Sequence, residues 1–245
     1  MGIPDYQSSL VREKKLVKWL DMISDDADEI FLMGDVFDFW FEYKHVIPKG
    51  YVRLLGKIAE LTDKGIPVNV FKGNHDIWAF DYLNKELNVE LHRKPVIRNF
   101  DGKNFFLAHG DGMGPGDNGY KFLKKVFEFK PNQFLFRWLH PDIGCWLGLY
   151  FSKQSRLANL AKYNKEIQEN NNDELKYDML LKYANSKADK NPDIDYFIFG
   201  HRHIPIHEKI GDNAEMIILG DWLSYFSYAV FEDGKMSLKY FTTET

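Results

Sequence analysis

Short apolar runs alternate with amphipathic segments along most of the chain, and polar residues follow each run. Apolar positions at helical spacing predict helices over residues 7–25 and 50–64, and Gly65 ends the second helix. Apolar runs of four or five residues predict buried strands at 29–33, 68–71, 104–108, 196–199 and 216–219. Two later runs flank Asp233-Gly234 and predict a β-hairpin. The pattern indicates an α/β fold.

Polar side chains stand at the carboxyl end of each predicted strand. Ligands of layered α/β folds bind outside these ends, so we expect the loops to meet at one site. The loops offer Asp35, Asn74, His109, His201 and His203. Oxygen and imidazole ligands without thiolates suit manganese, iron, zinc or magnesium. A carboxylate that bridges two such cations, about 3.5–4 Å apart, is the arrangement used for in-line attack on a phosphoryl group.

The stretch from Tyr120 to Lys190 interrupts this alternation and predicts several helices. Its first half is rich in aromatic residues interleaved with Lys and Arg, and its second half is polar, with a break at 170–172. We expect a helical cap insertion at about 118–190 within a single domain that spans 1–245. The aromatic residues have two open interpretations: they line a groove for an apolar ligand, or they pack the cap helices onto the body.

Composition narrows the classes of function. The 245 residues are 44% hydrophobic with a net charge of -4, so no nucleic-acid partner is expected, because such domains are usually strongly basic. A single cysteine, Cys145, cannot form an internal disulfide and fits a reducing compartment. No apolar run reaches the about 20 residues of a membrane-spanning helix. We expect a cytoplasmic protein.

Four motifs together resemble those of the calcineurin-like metallophosphoesterases. They are Gly34-Asp35-Val36-Phe37-Asp38, Gly73-Asn74-His75-Asp76, His109-Gly110-Asp111 and Gly200-His201-Arg202-His203. The resemblance covers nearly the whole chain. It implies a four-layer α/β/β/α sandwich and a centre of two divalent metal ions, with manganese as first choice and zinc, iron or magnesium as alternatives.

The resemblance also implies roles for individual residues. Asp35 would bridge both ions, and the ligands of one ion would be completed by Asn74, His109 and His201. His203 would bind the other ion. The catalytic residues would be His75, near the leaving group as proton donor or transition-state stabiliser, and Asp76, which would orient it.

The family pattern begins with an Asp-x-His motif at the end of a first strand, and no such motif precedes Asp35. Gly2 matches the glycine that closes the motif in related sequences. We therefore expect the first strand to be missing, through a misplaced start or a shortened chain. The first ion site, left with Asp35 and His203, would then be weak, while the second keeps all its protein ligands.

Within this family the chain is most similar to the UDP-2,3-diacylglucosamine hydrolases of lipid A biosynthesis. The similarity rests on residues 34–40, the spacing from His109 to Asp117, and the helical insertion before the Gly-His-Arg-His loop. It implies cleavage of the substrate's pyrophosphate to UMP and 2,3-diacylglucosamine 1-phosphate, with peripheral contact with inner-membrane lipid. Asp117, Ser155 and Arg156 are the expected substrate contacts.

Two other functions stay open. In the best-known branch of those hydrolases an arginine follows the metal-binding asparagine, whereas His75 stands there in this chain, as in general phosphoesterases. A generic phosphodiesterase or phosphatase with a soluble substrate is therefore one alternative. A non-catalytic scaffold of the same fold is the other, because the Asp-x-His motif is absent. The retained ligand side chains argue against the scaffold.

Overall fold

The computed structural model describes residues 6–114, 118–169 and 179–242 of the chain. Asp117 and the break expected at 170–172 lie outside these ranges. The described helices are α1 (Tyr6–Ile23), α2 (Val52–Asp63), α3 (Tyr82–Leu87), α4 (Asn118–Glu128), α5 (Lys130–Arg137), α6 (Pro141–Glu169) and α7 (Met179–Ala188). The described strands are β1 (Ile30–Leu32), β2 (Val68–Phe71), β3 (Glu90–His92), β4 (Val96–Phe100), β5 (Lys103–Ala108), β6 (Tyr196–Phe199), β7 (Pro205–Ile210), β8 (Ala214–Leu219), β9 (Ser227–Glu232) and β10 (Lys235–Tyr240).

The strands form two main sheets and a hairpin. The smaller sheet has the order β1-β2-β3, with all strands parallel. The larger has the order β4-β5-β6-β8-β7, in which β5, β6 and β8 are parallel and the edge strands are antiparallel to their neighbours. The β9–β10 hairpin turns at Asp233 and Gly234, whose φ angles of 51° and 72° match a two-residue primed turn. The structure confirms the five strands and the hairpin.

Three apolar clusters separate four layers, as the family resemblance implies. The first lies between helices α1–α3 and the smaller sheet and includes Leu20, Leu54 and Val70. The second lies between the two sheets, and the third lies between α7 and the larger sheet. In β9, Tyr228 packs against the first cluster, whereas Phe231 packs against the second. The hairpin therefore lies in the same layer as the smaller sheet.

Helices α4–α7, which we call the inserted helices, follow β5 and precede β6. Their aromatic residues divide into two groups. Phe127 and Phe136 pack on Trp78, with ring centroids 5.3 and 4.7 Å apart. Others are largely exposed, such as Trp138 at 77% and Phe122 at 70%. Packing onto the body thus accounts for only part of the aromatic content. Within the described ranges, no helix combines the length and apolarity that crossing a membrane requires.

Candidate metal centre and active site

Four side chains named from the motifs stand just beyond the carboxyl ends of parallel strands. Asp35 follows β1, Asn74 follows β2, His109 follows β5 and His201 follows β6. Asp35 and His201 have left-handed backbone, with φ angles of 53° and 52°, which costs non-glycine residues of order 1–3 kcal/mol. A Cβ at Gly73 would overlap the Asp35 carboxylate. The glycine before Asn74 therefore gives the Asp35 carboxylate its space.

The donor atoms of these four residues converge. Ligand atoms of Asp35, His109 and His201 all lie within 4.8 Å of one another. Asn74 Oδ1 is 3.0 Å from His201 Nδ1 and 3.3 Å from His109 Nε2. His109 Nδ1 lies 2.7 Å from the Met33 carbonyl oxygen, to which it donates, so Nε2 faces the cluster. A ligand histidine held through its second nitrogen is typical of metal sites, and this donor set fits a divalent cation.

Burial and mutual charge shift the pKa values of the acidic and basic groups in this cluster. Burial alone would raise the pKa of Asp35, but His109 and the neighbouring histidines hold that pKa far below its usual range. Burial alone would lower the pKa of His109, but the Asp35 carboxylate raises it to about 9. Burial and the charge of His109 lower the pKa of His201 to about 4. The carboxylate therefore stays ionised and available to a cation.

His203 lies outside this cluster among the residues that the structure describes. Its side chain is 52% exposed, and its Nδ1 is 3.3 Å from Asp221 Oδ2. The other Asp221 oxygen accepts hydrogen bonds from the backbone N–H groups of Leu223, Ser224 and Tyr225. Binding of a second ion by His203 stays a prediction.

His75 is held by both its backbone and its ring. Its N–H donates to Asp35 Oδ1 at 2.8 Å, and its ring Nδ1 is 3.2 Å from the Asp38 carbonyl oxygen and 2.8 Å from Ser152 Oγ. The Asp76 carboxylate accepts hydrogen bonds from the N–H groups of Gly73 and Val36. An orienting effect of Asp76 on His75 would therefore pass through the loop backbone, and this role stays a prediction.

The inserted helices contact the motif loops directly. The Arg156 guanidinium on α6 forms an ion pair with the buried Asp38 carboxylate, whereas Ser155 is exposed. On α4, the Tyr120 hydroxyl and Lys124 ammonium both bind Asp111 Oδ2, at 2.6 and 2.7 Å.

Sequence reasoning missed Ser152, Tyr120 and Lys124, and it did not pair Arg156 with Asp38. The available signal was the four-residue spacing of Ser152 and Arg156, which places both on one helix face. That spacing does not say which face meets the site, so the sequence alone left the partners undetermined.

Comparison with known proteins agrees with this geometry. The profile of the family described as calcineurin-like phosphoesterase matches residues 10–205. The UDP-2,3-diacylglucosamine hydrolase of Porphyromonas gingivalis is 34% identical over 98% of this chain and 93% of its own length. Proteins of the same name from Aeromonas salmonicida and Shewanella baltica are 27% and 24% identical, over 91% and 84% of this chain and 85% and 80% of their own lengths. The chain therefore belongs to the calcineurin-like phosphoesterase family and is a hydrolase of phosphoester bonds.

Proposed function

We propose that the chain cleaves the pyrophosphate of UDP-2,3-diacylglucosamine, which releases UMP and 2,3-diacylglucosamine 1-phosphate for lipid A biosynthesis. The observation that carries the proposal is the convergence of Asp35, Asn74, His109 and His201 beside helices that bear exposed aromatic residues. A polar, cation-binding centre next to an apolar surface suits a substrate that joins a pyrophosphate to two acyl chains. The curated relatives described above carry the name of this activity.

The family implies divalent metal ions, and the donor set formed by Asp35, Asn74, His109 and His201 fits one of them. When bound, such ions supply Lewis-acid catalysis of phosphoryl transfer. We propose a pair of ions, with manganese as the native metal. Asp35 would be shared between them, and His203 would serve the second.

His75 would act on the leaving group. Its Nδ1 is engaged by Asp38 and Ser152, so Nε2 is the ring nitrogen that can face substrate. From there it would donate a proton or stabilise the developing charge. Asp76 would support the loop that carries it, through its bonds to Gly73 and Val36.

The inserted helices would cap the site within a single domain and bind the rest of the substrate. Arg156 would contact a phosphate from its position beside Asp38, and Ser155 and Asp117 would contact the nucleotide sugar. The exposed aromatic residues of α4–α6 would meet acyl chains or membrane lipid, and the interleaved Lys and Arg would meet anionic headgroups. The proposed location is the cytoplasmic face of the inner membrane.

The experiment is an assay of purified protein with UDP-2,3-diacylglucosamine and added Mn²⁺, with release of UMP as the readout. Release that is abolished by His109→Ala would support the proposal. Cleavage of small chromogenic diesters with the acylated nucleotide sugar left intact would replace it with a generic phosphodiesterase. Binding of Mn²⁺ without any hydrolysis would favour the non-catalytic scaffold.

Membrane contact has its own test, which is sedimentation with vesicles containing anionic lipid. Trp138→Ser should reduce the bound fraction, because the side chain is 77% exposed at the carboxyl end of α5. Ile97→Ser is the matched control, since Ile97 is 59% exposed on β4, outside the inserted helices. Equal binding by both variants would argue against this surface.

A further inference from the structure

One face of α6 lies in direct contact with the loop that follows β1. Gly144, Gly148 and Ser152 are spaced four residues apart and so share a helix face. A Cβ at Gly144 would overlap the Tyr43 hydroxyl, and a Cβ at Gly148 would overlap the Phe39 ring. The two glycines therefore permit an approach of helix backbone to loop that larger residues would prevent.

This close approach brings a polar group to the active site. Ser152 is next on the same face and is 6% exposed. Its Oγ lies 2.8 Å from Nδ1 of His75, and the Asp38 carbonyl oxygen lies 3.2 Å from the same nitrogen. One turn further along, Arg156 pairs with the Asp38 side chain, so α6 also holds the segment that supplies this carbonyl.

The two oxygens around Nδ1 constrain where the imidazole carries its proton. A carbonyl oxygen can only accept a hydrogen bond, whereas a serine hydroxyl can donate or accept. A proton on Nδ1 satisfies both neighbours, since it can be shared between the carbonyl and the hydroxyl oxygen. A bare Nδ1 would place its lone pair against that of the carbonyl. The surroundings therefore favour N–H at Nδ1. A proton passed to the leaving group would then come from Nε2 of a ring that carries both protons, and the ring would return to its neutral Nδ1–H form.

We propose that Ser152 is a positioning residue for His75. The hydroxyl oxygen accepts a hydrogen bond from Nδ1–H and, together with the Asp38 carbonyl, fixes the ring plane so that Nε2 faces the leaving group. The inference rests on the role proposed above for His75 and extends it. It makes α6 a participant in the chemistry, beyond any role in holding substrate.

The test is a double-mutant cycle on the Mn²⁺-loaded enzyme, with whichever of the acylated nucleotide sugar and a chromogenic diester the unaltered protein cleaves. Ser152→Ala should lower kcat roughly three- to tenfold, the loss expected for one hydrogen bond, with KM unchanged. In a His75→Asn background the same change should cost nothing further, because the ring that it positions is gone. Ser152→Thr keeps the hydroxyl and should restore most of kcat.

Ser237→Ala is the matched control, since it removes a partly buried serine hydroxyl on β10 and should leave kcat unchanged. A second readout does not depend on turnover. In protein loaded with diamagnetic Mg²⁺, Ser152→Ala should move the ¹⁵N chemical shifts of the His75 ring, whereas Ser237→Ala should not.

The outcomes distinguish the positioning role of Ser152 from the hydrolase function on which it rests. Full activity of Ser152→Ala, or an equal loss in the His75→Asn background, would overturn the inference and leave the hydrolase intact. Full activity of His75→Asn itself would overturn the role of His75 and the inference with it. Loss of kcat that appears only when His75 is present supports both.

Discussion

The hydroxyl of Tyr120 donates a hydrogen bond of 2.6 Å to the carboxylate of Asp111. Lys124 binds the same oxygen at 2.7 Å, so α4 is tied by two contacts to a residue that follows His109 by two positions. Asp111 is 8% exposed. Burial alone would raise its pKa, but His109 and Lys124 hold that pKa below its usual value. An ionised, buried carboxylate thus anchors the first inserted helix beside the candidate metal centre.

Removing this anchor should lower stability measurably. Tyr120→Phe removes the hydroxyl bond to Asp111 and keeps the Lys124 contact, and it should lower the free energy of unfolding by about 1–2 kcal/mol, at the lower end for a bond to a charged group. Urea denaturation measures the change. Tyr240→Phe removes a hydroxyl that is exposed on β10 and should have no effect. Equal stability of the two variants would contradict an anchoring role.

Divalent ions should stabilise the folded protein through the cluster of Asp35, Asn74, His109 and His201. Mn²⁺ at 100 times its Kd should add about 2.7 kcal/mol, or roughly 5–10 °C in Tm. His109→Ala and His201→Ala should each lose most of this increase. His207→Ala should keep it, because His207 is exposed on the edge strand β7 and pairs with Glu215 instead of with the cluster. Thermal denaturation of EDTA-treated protein with and without Mn²⁺ measures this increase in Tm. An unchanged increase in His109→Ala would show that the ion binds at another site.

In ion-free protein His109 and His201 should give the free energy of unfolding a maximum near pH 6.5. The pKa of His201 is lowered to about 4 from 6.5, so between these values the unfolded chain binds the extra proton and stability rises with pH. The pKa of His109 is raised from 6.5 to about 9. Between pH 6.5 and about 9 the folded state therefore holds the extra proton, and stability falls as pH rises.

Urea unfolding at a series of pH values measures both limbs. His201→Asn should flatten the rising limb, and His109→Asn should flatten the falling limb. Limbs that persist in these variants would have to come from other groups.

Glu13 on α1 caps the N-terminus of helix α2. Its Oε1 accepts hydrogen bonds from the N–H groups of Arg53 and Leu54, at 2.9 and 3.2 Å, in the first turn of α2. The residue at the cap position, Tyr51, makes no side-chain cap bond. Glu13→Ala should therefore cost about 1 kcal/mol or somewhat more of stability. Glu86→Ala, an exposed change, is the control, and equal unfolding midpoints would contradict the cap.

The buried parallel strands were the most predictable part of the fold. β2 and β6 are buried at every position. A continuous apolar run in the sequence is therefore enough to locate each of these strands. β4 was missed although Asp101-Gly102, with φ angles of 48° and 78°, carries the same turn signal as the predicted β9–β10 hairpin. Its exposed alternate positions hid it from a search for continuous apolar runs.

The clustered side chains of the candidate metal centre were predictable for a related reason, and their helical neighbours were not. Asp35, Asn74 and His109 each end an apolar run, so their place follows from local pattern. Ser152 lies within a helix whose apolar residues extend around much of its surface. Its partner His75 is far away in the chain, and only the docking of α6 brings the two together.

The contact face of α6 also limits how this segment can vary in length. One residue inserted between Gly148 and Ser152 would rotate everything beyond it by about 100° around the helix axis. The hydroxyl would then turn away from His75, and Arg156 would leave Asp38. The number of residues between Gly144 and Arg156 is therefore fixed, whereas insertions beyond Arg156 would leave these two contacts in place. Variation among homologues in the reach of the inserted helices is expected to accumulate on the far side of that arginine.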